Sequence, residues 1–298
     1  MESIEHKIFT YNQRTEIILG WRNRNFSLHK HWEPNYSYVN YIRKSDGYPT
    51  KSYRELVELT AQIAIWNKQY DMFFRGQNHD YKNKKEKSDI YPSICRPEFN
   101  PKGKYKASIK THTIDKRLVQ LHSFINYLSS TEKYPLRIRR SKNFLEMDYA
   151  LIQHYGILPT PMIDITQSLR VAATFALRKS KTGYLYVFGL PYPHGSISYF
   201  IDNNIVLVKL QNSCPSNALR PRYQEGFLVG RFPFSPCKAI GDNLATRMIA
   251  KFYLDNSDDN FWDSLFMPLS EEILFPKKDE KMSELKKKFQ DFQNNHKI

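Results

Sequence analysis

The stretch QHYGILPTPMIDITQS, residues 153–168, sets Gln153, His154, Tyr155, Asp164 and Thr166 around a short apolar strand. A strand that only fills a core needs little polarity at its ends, whereas a binding or reaction site needs it. His154 can serve as a general base, a ligand contact or a satisfied interior histidine. Asp164 can pair with a cation such as Arg75 or hold a ribose hydroxyl. Thr166 and Ser168 have the residue types that bond the first turn of a following helix.

Three further stretches carry candidates. Arg75 lies between Phe74 and Gly76 at the end of the apolar run DMFFRGQ. It is either a structural arginine paired to a carboxylate or a fork for phosphate or carboxylate. In the second reading Gly76 lets the ligand approach the backbone and Gln77 adds an amide. Gln224 precedes Gly226 in YQEGFLVG, as a turn residue or a site residue. In SEEILFP, Glu271 and Glu272 precede an apolar run expected to be a strand. There one carboxylate faces a cleft and the other solvent, as a solvated strand start or a catalytic group.

The common alternatives are missing. No GxGxxG, P-loop, HExxH, GxSxG or EF-hand pattern occurs. Cys95, Cys214 and Cys237 are far apart and lack metal-ligand spacing, so no metal is expected and a reducing compartment is. The N-terminus lacks the apolar core of a signal peptide, and no window holds the ~18 apolar residues of a membrane span. The expectation is a cytoplasmic protein with no membrane partner. Its 45 Lys and Arg against 30 Asp and Glu give a formal charge of +15, which attracts polyanions. The basic runs KNKKEK and RIRRSK, with Tyr81, Tyr91 and Tyr134 nearby, are solvated faces or a polynucleotide surface.

The elements that must position these residues follow from periodicity. Residues 1–50 read as an N-terminal extension with some strand content. Ser52 and Glu55 form a capping box for a helix over Ser52–Lys68, and Asp71–Gln77 reads as a buried strand. Helices are expected over Ile109–Ser130 and Phe144–His154. A strand at Met162–Ile165 leads into a helix capped by Ser168, with Val171, Ala172, Phe175 and Ala176 inward and Gly183 ending it. Strands follow at Tyr184–Leu190, Asn203–Leu210 and Phe227–Val229. LATRMIAKFYL reads as a helix or a strand–helix junction. Over 278–298 Met282, Leu285, Phe289 and Phe292 form one face of a basic amphipathic helix, which docks a partner or packs on its own chain. Helices and strands alternate without a βαβ rhythm, so the fold class is α+β with mixed or antiparallel sheets and flanking helices.

FFRGQ, YPSICR, HYGILPTPMIDITQSLRVAATFAL, YQEGFLVG and ILFP occur in the order and spacing of the FRG domain, which this sequence resembles over residues 51–277. Where the family carries a tryptophan in its central motif, Ile165 stands here. FRG domains are largely bacterial or phage-encoded and many are associated with phage defence. A remoter similarity is to ADP-ribosyltransferases of the Arg–Ser–Glu type. That resemblance implies an ADP-ribosyltransferase-like core and NAD as substrate, in an enzyme or toxin without a metal. It implies Glu272, Arg75 and Thr166 as catalytic residues, with Glu272 steadying an oxocarbenium-like transition state. Arg75, Gly76, Gln77, His154, Tyr155, Asp164, Ser168 and Gln224 would bind the nucleotide. Ser270 stands where the first glutamate of Glu-x-Glu would be. The alternative is a non-catalytic module that binds nucleotide or nucleic acid.

Overall fold

The computed structural model describes residues 1–10, 36–100, 105–131, 145–234 and 242–296. Tyr134, the RIRRSK run and Cys237 lie outside them. The strands are β1 (Ile8–Phe9), β2 (Tyr36–Ser37), β3 (Tyr48–Thr50), β4 (Asp71–Gln77), β5 (Glu98–Phe99), β6 (Tyr105–Ala107), β7 (Met162–Thr166), β8 (Thr182–Leu190), β9 (Ile197–Phe200), β10 (Ile205–Lys209), β11 (Gly226–Arg231) and β12 (Met248–Asp255). The helices are α1 (Val39–Lys44), α2 (Tyr53–Trp66), α3 (Thr111–Thr131), α4 (Leu145–His154), α5 (Leu169–Leu177), α6 (Leu210–Ser213), α7 (Arg220–Tyr223), α8 (Glu271–Leu274) and α9 (Glu280–His296).

Eight strands form one mixed sheet in the order β3-β12-β8-β4-β7-β11-β10-β9. Its pairs are antiparallel except β12 with β3. The chain is therefore α+β. β3, within the stretch read as an N-terminal extension, forms an edge of this sheet.

Period-two alternation divides the core between the two faces. Ile205 and Leu207 of β10 join one apolar cluster with Ile163 and Ile165 of β7 and helices α2 and α5. Val206 and Val208 join the other, with Met162 and helices α3, α4 and α9. Asp164, between Ile163 and Ile165, thus stands on the α4 face with Met162. β4 meets β7 at Phe74 and Thr166. Beyond that position the two strands part, and the split lies at the centre of the sheet.

Two helix ends matter for the site. α4 stops because Gly156 takes φ +64. Ile157 N bonds Ile152 O and Gly156 N bonds Gln153 O, a Schellman closure that a side chain at Gly156 would strain. Gln153 and His154 are thereby fixed in the last turn. α5 begins at Ser168, whose Oγ accepts from Val171 N at 3.5 Å. α2 is capped as expected, with Ser52 Oγ accepting from Glu55 N, although Glu55 reaches back to Lys51 N.

Several expectations need correction. LATRMIAKFYL is a short 3-10 turn, Leu244–Arg247, running into strand β12. SEEILFP is not a strand: Ser270 Oγ accepts from Ile273 N and starts the short helix α8. Gly183 lies inside β8, and α5 has already ended at Leu177. Gly76 must be small because of α5. A Cβ there would sit 1.9 Å from Ala172 O and 2.6 Å from Ala176 N. Of the two readings of the tail, packing on its own chain holds: Phe289 and Phe292 of α9 meet Phe124 of α3 and Leu285 is buried.

Two substitutions test this packing in thermal and denaturant unfolding. Gly76→Ala should cost at least about 1–3 kcal/mol by overpacking against backbone, and an unchanged midpoint would contradict the close α5 contact. Phe292→Ala should cost roughly 3–5 kcal/mol. A tail that only docks a partner would leave stability unaltered.

Candidate functional site

The split between β4 and β7 opens into a hollow of about 170 Å³ lined by Arg75, His154, Asp164, Thr166, Arg220 and Gln224, with Phe175 and Gly226. A second hollow of about 260 Å³ shares Arg75, Gly76 and Phe175 with it. Gln77, Tyr81, Tyr91, Arg96, Phe99 and Arg178 line this outer part. The two hollows adjoin at Arg75, which lines both.

Asp164 organises the inner part. Arg75 Nη1 donates to its main-chain carbonyl at 2.5 Å, so the guanidinium holds the β7 backbone and leaves the carboxylate to others. Gln153 Nε2 donates to Oδ2 and His154 Nδ1 lies 3.0 Å from Oδ1. Gln153 is itself oriented: its Oε1 accepts from Ser93 Oγ at 2.7 Å and Thr160 Oγ1 at 2.9 Å. With the carbonyl end engaged by two hydroxyls, the amide end must point at Asp164. Burial opposes the Asp164 charge, but the hydrogen bond and the positive charge of His154, the Arg75 charge and the Gln153 amide outweigh it. They hold the carboxyl well below the ordinary carboxylate range.

An ionised carboxylate accepts hydrogen bonds only, so His154 Nδ1 carries the proton and donates. In the neutral form of the ring the lone pair would be on Nε2. That atom is buried and has no partner, and the side chain is 2% exposed. Asp164 is 34% exposed, so the dyad opens to the hollow through its carboxylate side. A Cβ on Gly226 would lie 3.1 Å from His154 Cε1, so glycine there leaves room beside the ring.

The cationic side is built from arginines. Arg75 Nε and Arg220 Nε are both buried without partners. Burial lowers the guanidinium pKa of Arg75, Arg96 and Arg220 from its usual value. Arg178 and Arg220 both lie over the Phe275 ring, at 4.3 and 4.8 Å from its centroid. Arg178 also pairs with Glu271. Tyr81 and Phe99 meet edge to face at 4.9 Å in the outer hollow.

Of the residues expected at the site, Arg75, Gly76, His154, Asp164, Thr166 and Gln224 line the inner hollow and Gln77 lines the outer one. The Thr166 hydroxyl also accepts from Ser168 N at 3.0 Å, and Gln224 Nε2 donates to Leu274 O. Three residues lie elsewhere. Ser168 caps α5. The Tyr155 hydroxyl bonds both carboxylate oxygens of Asp279, at the start of α9. Glu272 is exposed on α8, its side chain 77% accessible and 3.7 Å from Lys277 Nζ. It does not line the cleft, because helical geometry turns it to solvent. The sequence reading passed over Arg96, Arg178 and Arg220 and assigned Phe175 to the core. Arg96 closes the YPSICR motif and Arg220 opens RPRYQEG, so both had a local signal. No group of three or more His, Cys, Asp or Glu among the described residues is set to hold a metal ion. No described helix is long and apolar enough to cross a membrane.

Asp164→Asn tests the charge in this network. A depressed carboxyl pKa stabilises the fold above the unfolded value of 3.8, and the gain is lost as pH falls through the folded value. The midpoint difference between wild type and Asp164→Asn should be present at neutral pH and shrink below that value. A difference independent of pH would contradict an ionised Asp164.

Residues 70–184 match the family model of the FRG domain. That span holds FFRGQ, YPSICR and the whole of the His154–Leu177 motif, while YQEGFLVG and ILFP lie beyond it. No curated protein and no solved structure matches the chain. Strand β4 with Arg75, the Ser93 loop, α4 with its Gln153–His154 end and the β7–α5 unit all fall within the matched span, and over that span the chain carries an FRG domain.

Proposed function

We propose that the cleft binds a nucleotide, with NAD as the first candidate. Phosphate oxygens would lie against Arg75, Arg220 and Arg96, and the base among Tyr81, Tyr91 and Phe99. The observation that carries this reading is the pair of buried, unpartnered Nε atoms of Arg75 and Arg220 on one hollow. Leaving a buried donor unpaired costs roughly 1–3 kcal/mol. A phosphate supplies the missing acceptors and a charge that offsets the burial of the cations.

This is the binding reading, and it does not use Glu272. Transfer through Glu272 loses its support, since that carboxylate is exposed and paired with Lys277. A polynucleotide on the basic surface is the second reading, favoured by the net charge of +15.

Calorimetry with NAD, ADP-ribose and a short single-stranded RNA separates the two, using wild type and Arg220→Gln. The Arg220 guanidinium makes no hydrogen bond at Nε, while its main-chain N is held by Asp279 at 2.8 Å, so the variant should fold. Arg220→Gln should weaken ADP-ribose binding at least about tenfold, as expected for a charge-assisted bond worth ~1.5–3 kcal/mol. Equal affinity in the variant, or binding of RNA alone with a steep salt dependence, would overturn the nucleotide reading.

A further inference from the structure

A third hollow, of about 410 Å³, shares no described lining residue with the other two. It runs beside α1, and Tyr38, Tyr41, Lys44 and Lys87 line it with Asn40 and Glu5. Tyr38 and Tyr41 stand side by side, their ring centroids 6.4 Å apart and the rings tilted by 49°. They are 43% and 67% exposed, and neither hydroxyl has a partner among the described residues. Other exposed tyrosines are tied down: the hydroxyls of Tyr192 and Tyr199 donate to Lys68 O and Glu146. The fold explains neither ring beside α1. Tyr38 is the N-cap of α1 yet makes no side-chain cap bond, where a serine, threonine, aspartate or asparagine would.

The rim of this hollow is basic. Lys44, in the last turn of α1, and Lys85 are exposed, and neither meets a carboxylate among the described residues. Lys87 Nζ donates to Asn40 Oδ1 at 3.0 Å and keeps two hydrogens for an anion. Partial burial lowers the Lys87 ammonium pKa, and the charges of Arg43, Lys44 and Lys85 lower it further, so cations converge on this spot. Arg43 and Lys82 are neutralised by Asp89 and Asp46, whereas Lys44, Lys85 and Lys87 are left for a partner. Glu5 is the one carboxylate among the described lining residues.

The pairing of bare rings with bare ammonium groups selects among polyanions. A free phosphate would use the lysines and leave the rings idle, and a duplex keeps the faces of its bases stacked. A single strand offers an unstacked base and a phosphate at every step. We propose that the groove beside α1 binds single-stranded nucleic acid, with bases stacked on Tyr38 and Tyr41 and phosphates held by Lys44, Lys85 and Lys87. This surface is separate from the nucleotide-binding hollows, and either assignment stands without the other.

Fluorescence anisotropy with labelled oligo(U) and oligo(dT) of about ten nucleotides tests it, beside a duplex of equal length and anionic vesicles of phosphatidylserine and phosphatidylcholine. The wild type should bind one or both single strands, more tightly than the duplex, and excess ADP-ribose should not displace them. Tyr38→Ala/Tyr41→Ala should weaken binding at least about tenfold with the salt dependence unchanged. Lys44→Gln/Lys87→Gln should instead flatten the slope of log affinity against log salt by roughly 0.7 per lysine. Thermal unfolding checks that the variants fold. Should the tyrosine pair fail to fold, Tyr41→Ala alone, at the more exposed position, should weaken binding at least about fivefold. No binding of either single strand, wild-type affinity in the folded tyrosine variant, or equal binding of the duplex overturns the proposal. Displacement by ADP-ribose places the strand at Arg75 and overturns it too, and binding to vesicles alone makes this a membrane surface.

Discussion

Asp164 sits where β7 parts from β4, and its charge has to be stabilised by groups from separate parts of the chain. α4 contributes Gln153 and His154, while β4 contributes Arg75 to the carbonyl of the same residue. Ser93 and Thr160 sit behind Gln153 and fix which end of its amide faces the carboxylate. Removing any one partner leaves a buried polar group unsatisfied, which is costlier than never having placed it there. That asymmetry binds the Ser93 loop, the last turn of α4, β7 and the end of β4 into one unit.

The sheet supplies the geometry for this unit. Alternation along β7 sends Ile163 and Ile165 into one cluster and Asp164 to the other face, where α4 ends. α5 approaches β4 so closely that Gly76 must lack a side chain, and this fixes the wall of the cleft opposite α4. The tail takes part at a distance. Asp279 holds the Tyr155 hydroxyl and the Arg220 amide, so the start of α9 braces the residue after His154 and one of the cleft arginines.

Much of this was legible in the sequence, because the signals were local. The apolar run DMFFRGQ has the span of β4, and Ser168 caps α5 as its residue type predicts. The crowding of Gln153, His154 and Asp164 pointed to a site because polarity at a buried strand demands partners. Other features were set by contacts that no short window contains. Met248–Asp255 is a strand because it pairs with β8, which tertiary pairing decides over local propensity. SEEILFP carries both a strand-like apolar run and a serine cap, and the cap prevails. The role of Gly76 depends on Ala172, nearly a hundred positions along the chain, and the cleft position of Arg220 depends on Phe275 and Asp279.

The central claim is that ionised Asp164, oriented by Gln153, holds a proton on Nδ1 of His154. Nitrogen-15 spectroscopy of the imidazole rings, with His154 assigned by its substitution, reads this directly at neutral pH. The account predicts a His154 ring protonated at Nδ1, with an Nε2 resonance that moves when ADP-ribose is added. A proton on Nε2 with Nδ1 bare, or an Nε2 resonance that ADP-ribose leaves unchanged, would contradict it.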